Sequence, residues 1–199
     1  ISVEEVLGRA ILSPYKTIIY TSTDPSYFYL QGKISSSLDS SYLEKNFRSL
    51  FYVLESNFKG TMIYISSVDS GSYEVTRSGS KDQLEEMFTP YSFSKFAAES
   101  LFLNHKNFSK CAILRVGLFW PTKYNSNFFS AVEANPLNID LSLYSEFYVT
   151  PYSLVLKFLM NNINNHQKHI FGYLTSSNKI SLLNLLKIRN VNFDFDTKE

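Results

Sequence analysis

The sequence predicts an α/β fold, a parallel sheet with helices on both faces. Three observations carry that expectation. Short apolar runs alternate with amphipathic helical patterns along most of the chain, as in a parallel sheet whose strands are joined by helical crossovers. The runs around Ile18, Ile63 and Ile113 are continuously apolar rather than alternating, which is what a sheet covered on both faces requires. Each of these runs gives way to small or polar residues: Thr21, Ser22 and Thr23, then Ser66 and Ser67, then Val116 and Gly117. In open parallel sheets ligands bind beyond the carboxyl ends of the strands, so these segments and the helix opened by Tyr91 are expected to border one crevice.

The elements follow in order. Residues 2–12 read as an amphipathic helix with Ser2 as cap, Glu4 and Glu5 in its first turn and Pro14 closing it. Residues 16–23 read as a strand, and Asp24-Pro25 as a turn. A Ser- and Tyr-rich loop spans 26–41. Residues 42–58 form a helix by the spacing of Leu43, Phe47, Leu50, Phe51 and Leu54, stopped at Lys59-Gly60. A buried strand, 62–67, ends in paired hydroxyls. A polar loop covers 69–80, and one helical turn is expected at 81–87. A helix follows over 91–103. The strand 111–117 is expected to run on to Phe119-Trp120-Pro121. Residues 128–134 read as a helix ended by Asn135-Pro136, and 147–149 as a short strand. Pro151 suits the first turn of a helix reaching Ile163. A strand at 170–175 and a helix at 182–187, with Ser181 as its cap, complete the pattern.

Composition narrows the function classes. The chain has 199 residues and a net charge of +1. It carries no basic run, which speaks against a nucleic-acid or anionic-membrane surface. No stretch reaches the roughly 18 apolar residues of a membrane span. A single cysteine, Cys111, excludes an internal disulfide, reads as a buried thiol and makes a reducing, cytoplasmic setting the default. His105, His166 and His169 show no metal spacing and read as surface residues. The many Phe and Tyr residues, among them Tyr20, Tyr64 and Tyr148, read as core and rim packing.

The chemistry concentrates at Pro90-Tyr91-Ser92-Phe93-Ser94-Lys95. Four residues apart on a helix, Tyr91 and Lys95 share one face. A free phenol titrates near 10 and is a poor acid or base at neutral pH. A neighbouring ammonium favours the phenolate and brings it towards the working range. Taken singly, Tyr91 and Lys95 are an ordinary helical pair, and Ser66 and Ser67 an ordinary turn cap. It is the order that is specific: strand, Ser-Ser, loop, Tyr-x-x-x-Lys helix, then a strand closing in Leu114-Arg115.

That combination resembles the extended short-chain dehydrogenase/reductase family, the NAD(P)-dependent epimerases, dehydratases and reductases of nucleotide sugars. The likeness runs from Ile18 to about Leu186. It implies a Rossmann-like sheet with helices on both faces and a small C-terminal substrate subdomain. The corresponding division is a dinucleotide-binding domain at 1–121 and a substrate-side region at 122–199. By the resemblance Ser67, Tyr91 and Lys95 are the catalytic set. Ser67 would bond the substrate oxygen, Tyr91 would move the proton, and Lys95 would tune Tyr91 and hold the nicotinamide ribose. Ser22, Asn46, Ser66, Val116 and Gly117 would join Tyr91 and Lys95 in holding NAD or NADP. Asn46 falls where the family has an Asn at a helix start. Asn127 would face the substrate, a nucleotide sugar, and the helices 42–58 and 91–103 would form a homodimer. The tight layout of Leu114-Arg115-Val116-Gly117 and Asn127-Phe128-Phe129 looks most like the dTDP-4-dehydrorhamnose reductase branch.

The family's first strand and Gly-rich turn have no counterpart in these residues. The expectation is therefore a sheet incomplete on its N-terminal side, from a fragment or a shortened relative. Leu118 stands where the family often has a substrate-binding Asn, Pro151 where an Asp is common, and Val68-Asp69 where dehydratases place an Asp-Glu pair. The alternative function is a non-catalytic scaffold or assembly protein that kept the fold and lost the dinucleotide.

Overall fold

The computed structural model of the chain describes residues 15–21, 40–56, 58–70, 90–120, 146–163 and 169–188. The expected helices at 2–12 and 128–134, the turn at 81–87, and the site residues Ser22 and Asn127 lie outside them.

Strands β1 (Thr17–Tyr20), β2 (Thr61–Ser67), β3 (Lys110–Val116) and β7 (His169–Leu174) form a four-stranded sheet in the order β1-β2-β3-β7. Every pair is parallel, with Thr17 opposite Thr61, Thr61 opposite Lys110 and Cys111 opposite His169. Parallel neighbours need crossover connections. The helices α1 (Ser40–Glu55), α2 (Pro90–Asn104) and α3 (Tyr152–Asn162) lie in those connections.

The continuous apolar runs explain the layering. Alternate residues of a strand point to opposite faces, so Met62, Tyr64, Cys111 and Ile113 join one buried cluster with Leu50 and Val53 of α1 and Ala98 and Phe102 of α2. Ile63, Ile65, Ala112, Leu114 and Val116 join a second cluster with Val155, Phe158 and Leu159 of α3. Helices therefore cover both faces, as the sequence requires. Cys111 is fully buried, and its thiol is pushed up to about 12 by that burial.

Two smaller pairings flank the main sheet. β4 (Leu118–Trp120) runs parallel to β6 (Val149–Pro151), and β5 (Glu146–Phe147) runs antiparallel to β8 (Ile180–Ser181), which leads into α4 (Leu182–Ile188). The expected single strand through Phe119 is thus two strands in different sheets, broken at Gly117. There the Gly117 N–H donates to Thr150 Oγ1 at 2.7 Å and the Leu118 N–H to the Tyr148 carbonyl at 2.8 Å. A Cβ on Gly117 would run into the Tyr148 backbone, so only glycine allows this approach. The strand expected at 147–149 is divided in the same way between β5 and β6.

Two boundaries also differ from expectation. α1 runs from Ser40 to Glu55, three residues short of the expected end at Phe58, and beyond it Ser56 Oγ donates to the Val53 carbonyl at 2.6 Å. Pro151 is the N-cap of α3 rather than its first helical residue, with an extended backbone at φ −62° and ψ 132°. Ser181 does cap α4, accepting the Asn184 N–H at 3.3 Å. His105, expected at the surface, is half-buried with its ring 4.5 Å from that of Phe108, whereas His169 is exposed.

Candidate functional site

The carboxyl ends of β2 and β3 lie side by side. Ser67 is opposite Val116, and the Val68 N–H donates to the Val116 carbonyl at 3.0 Å. Ser66, Ser67, Val116 and Gly117 are therefore brought together by strand register alone. Ser66 is 2% exposed, and its hydroxyl lies beside the Tyr64 phenol, where it opposes the rise in that residue's pKa.

Ser67 is held by the turn that follows it. Its Oγ donates to Asp69 Oδ2 at 3.1 Å and accepts the Asp69 N–H at 3.2 Å. Asp69 keeps contact with solvent, while the protein crowding its carboxyl raises its pKa and the Ser67 hydroxyl pulls it back. Ser70 is completely buried, and its Oγ lies 2.7 Å from both the Ser67 carbonyl and Glu99 Oε1.

The second half of the site is the opening of α2. The helix places Tyr91, Lys95 and Glu99 in one row, a turn apart. Lys95 is 5% exposed, and its Nζ sits 5.5 Å from the centre of the Tyr64 ring and 5.7 Å from that of Tyr91. Both distances suit a cation facing an aromatic ring. Burial lowers the Lys95 pKa to about 8, while the Glu99 carboxylate works in the opposite direction. Tyr64 is driven well above the usual phenol range by its own burial, then by Tyr91, Tyr20 and Glu99. It is thus a neutral wall, with Tyr20 beside it holding Ser49 Oγ at 2.6 Å. A small recess is lined by Lys95, Asn46, Tyr20, Tyr64 and Ser94, among others. Asn46 shares this recess although it is well inside α1 rather than at a helix start, where its Nδ2 donates to the Tyr42 carbonyl at 2.8 Å.

Four residues near the site were given no role from the sequence: Ser70 and Glu99, and Asp69 and Arg115, which were noted only as parts of the family-like pattern. A signal existed for Arg115, since a charge inside the apolar run Cys111-Ala112-Ile113-Leu114 must have a buried partner. That partner is Glu99, at 2.7 Å. The described residues hold no cluster of His, Cys, Asp or Glu able to bind a metal ion, and none of their helices is long and apolar enough to cross a membrane.

No family model and no curated protein matches the sequence. Solved structures do match. RMD from Pseudomonas aeruginosa complexed with NADPH aligns with a TM-score of 0.59 and 17% identity, over 87% of this chain and 62% of that one. MoeE5 in complex with UDP-glucuronic acid and NAD aligns at 0.61 and 17%, over 89% and 62%. The UDP-glucose 4-epimerase of Thermotoga maritima, solved with UDP-glucose, aligns at 0.60 and 12%, over 94% and 62%. This chain thus spans about 62% of the length of each. The likeness establishes the fold it shares with them, a Rossmann-like parallel sheet with helices on both faces.

Proposed function

We propose that the chain carries the reacting half of an NAD(P)-dependent oxidoreductase of the extended short-chain dehydrogenase/reductase type, acting on a nucleotide sugar. One observation carries the reading. Lys95, a lysine buried on α2, faces Tyr91 and the β2 strand whose hydroxyl-bearing end meets Val116 and Gly117. A structural lysine has no need of such a place, because burying an ammonium is costly. The three solved structures named above add weight, two holding NADPH or NAD and two a UDP sugar.

The residues present fit a nicotinamide dinucleotide. Lys95 and Tyr91 would hold the ribose on the nicotinamide side, with Asn46 in the recess behind them. Ser66, Val116 and Gly117 would flank the nicotinamide. Ser22 and Asn127 would extend the site on the cofactor and substrate sides. When bound, the dinucleotide supplies the acceptor or donor of a hydride.

The chain's own residues handle the proton. Ser67 bonds the sugar oxygen, which requires its hydroxyl to turn from Asp69. Tyr91 gives or takes the proton on that oxygen. With a pKa of about 8, Lys95 is mostly an ammonium at neutral pH and close enough to its titration to pass a proton on. The exposed Phe51 and Tyr52 of α1 and Leu101 and Leu103 of α2 support pairing of two copies through these helices.

The test is to incubate the chain with NAD or NADPH and a panel of nucleoside-diphosphate sugars, following the sugars by proton NMR. Conversion of at least one sugar at a single carbon is the expected result. No conversion with either dinucleotide would count for the scaffold reading and against the enzyme.

A further inference from the structure

The buried cluster around Glu99 has a form that packing alone does not call for. Glu99 and Arg115 are 2% and 0% exposed. Arg115 donates Nε to Glu99 Oε1 at 3.0 Å and Nη2 to Oε2 at 2.7 Å, a bidentate pair. Its Nη1 donates to the Tyr173 hydroxyl at 2.6 Å, and its guanidinium lies 4.7 Å from the centre of the Phe171 ring. Such a pair joins α2, β3 and β7, yet an apolar pair of similar volume would pack as well or better.

Two contacts distinguish it from a packing device. The first is Ser70, whose single hydroxyl hydrogen is shared between Glu99 Oε1 and the Ser67 carbonyl, both at 2.7 Å. This ties the helix to the turn that presents the Ser67 hydroxyl. The second is position. Glu99 is one helical turn beyond Lys95, and its carboxylate favours the ammonium that burial opposes. Tyr91 on α2, Tyr64 on β2 and Tyr20 on β1 are the other titratable groups facing that lysine or lining its recess. α1 contributes the uncharged Asn46 there.

We propose that Glu99 is a positioning residue, its carboxylate held by Arg115, tied through Ser70 to the Ser67 turn and supporting the charge of Lys95. It sets two groups on two different elements from one point. The inference rests on Ser67 and Lys95 being site residues, as proposed above. Its test is made on the free chain, so a failure of dinucleotide binding and a failure of this inference are read separately.

The experiment is the titration of the Lys95 side chain by heteronuclear NMR on lysine-labelled protein, with the signal assigned by Lys95→Arg. The wild-type midpoint is expected at about 8. The double variant Glu99→Gln/Arg115→Met removes the carboxylate without leaving an unpaired guanidinium. Its midpoint is expected to fall by about one pH unit. Glu99→Asp keeps the charge, and its midpoint should stay near the wild-type value. Ser70→Ala leaves both charges in place, and it should speed amide exchange at residues 67–70 by about tenfold, the loss of roughly one hydrogen bond. An unchanged midpoint in the double variant, an equal fall in Glu99→Asp, or unchanged exchange in Ser70→Ala would each overturn the proposal.

Discussion

Tyr91→Phe is expected to lower turnover by about a hundredfold to ten-thousandfold, the range for losing a positioned acid or base. It should leave the fold intact. The substitution removes one hydroxyl from a half-buried side chain and keeps the ring that faces Lys95. Dinucleotide binding should weaken by no more than about one hydrogen bond to the ribose, with Lys95 still in place, so most of the loss should fall on kcat rather than KM. The wild-type rate should also decline as pH rises past about 8, because the Lys95 ammonium that favours the Tyr91 phenolate is then lost. Steady-state kinetics of both forms across pH check this. Equal kcat in the two would remove Tyr91 from the chemistry.

Arg115→Met is expected to destabilise the chain by about 3–5 kcal/mol, the usual cost of breaking a buried ion pair from one side. Most of that cost belongs to Glu99, left with a buried carboxylate that keeps the Ser70 hydroxyl at 2.7 Å but loses the guanidinium. Tyr173 and Phe171 lose the cation they pack around. Adding Glu99→Gln should recover a large part of the stability, because the unpaired charge goes with it. Urea unfolding of the wild type, the single and the double variant measures both steps. Equal stability of Arg115→Met and the wild type would mean that the pair is not a buried one.

The features legible in the sequence were those that depend on local pattern. Met62 to Ile65 and Cys111 to Leu114 are apolar at every position, and both became strands buried on two faces. The spacing of Phe47, Leu50 and Leu54 placed α1. Tyr91 and Lys95 were legible as a pair because the helix fixes their relation, and Ser67 because a strand end fixes where a ligand could approach. What escaped was decided by residues far apart in the chain. The break at Gly117 depends on Thr150 and Tyr148, which no local pattern connects to it. The pairing of β5 with β8 joins Glu146 to Ser181 in the same way. Asn46 sits inside α1, as the apolar spacing of 42–58 already implied, and not at the helix start where the family likeness put it. Glu99 lies on the same helical row as Tyr91 and Lys95, yet its meaning came only with Arg115 and Ser70, from two other elements. Of the site residues named from the sequence, the strand register unites Ser66, Ser67, Val116 and Gly117, and α2 with α1 unites Tyr91, Lys95 and Asn46.

The most direct test of the account is a titration of the purified chain with NADH and NADPH, followed by nicotinamide fluorescence, in the wild type and in Lys95→Met. The account predicts saturable binding of at least one of the two by the wild type. It also predicts a loss of tenfold or more in Lys95→Met, about 1.4 kcal/mol or greater. Absence of saturable binding by the wild type, or equal binding by the variant, would contradict it.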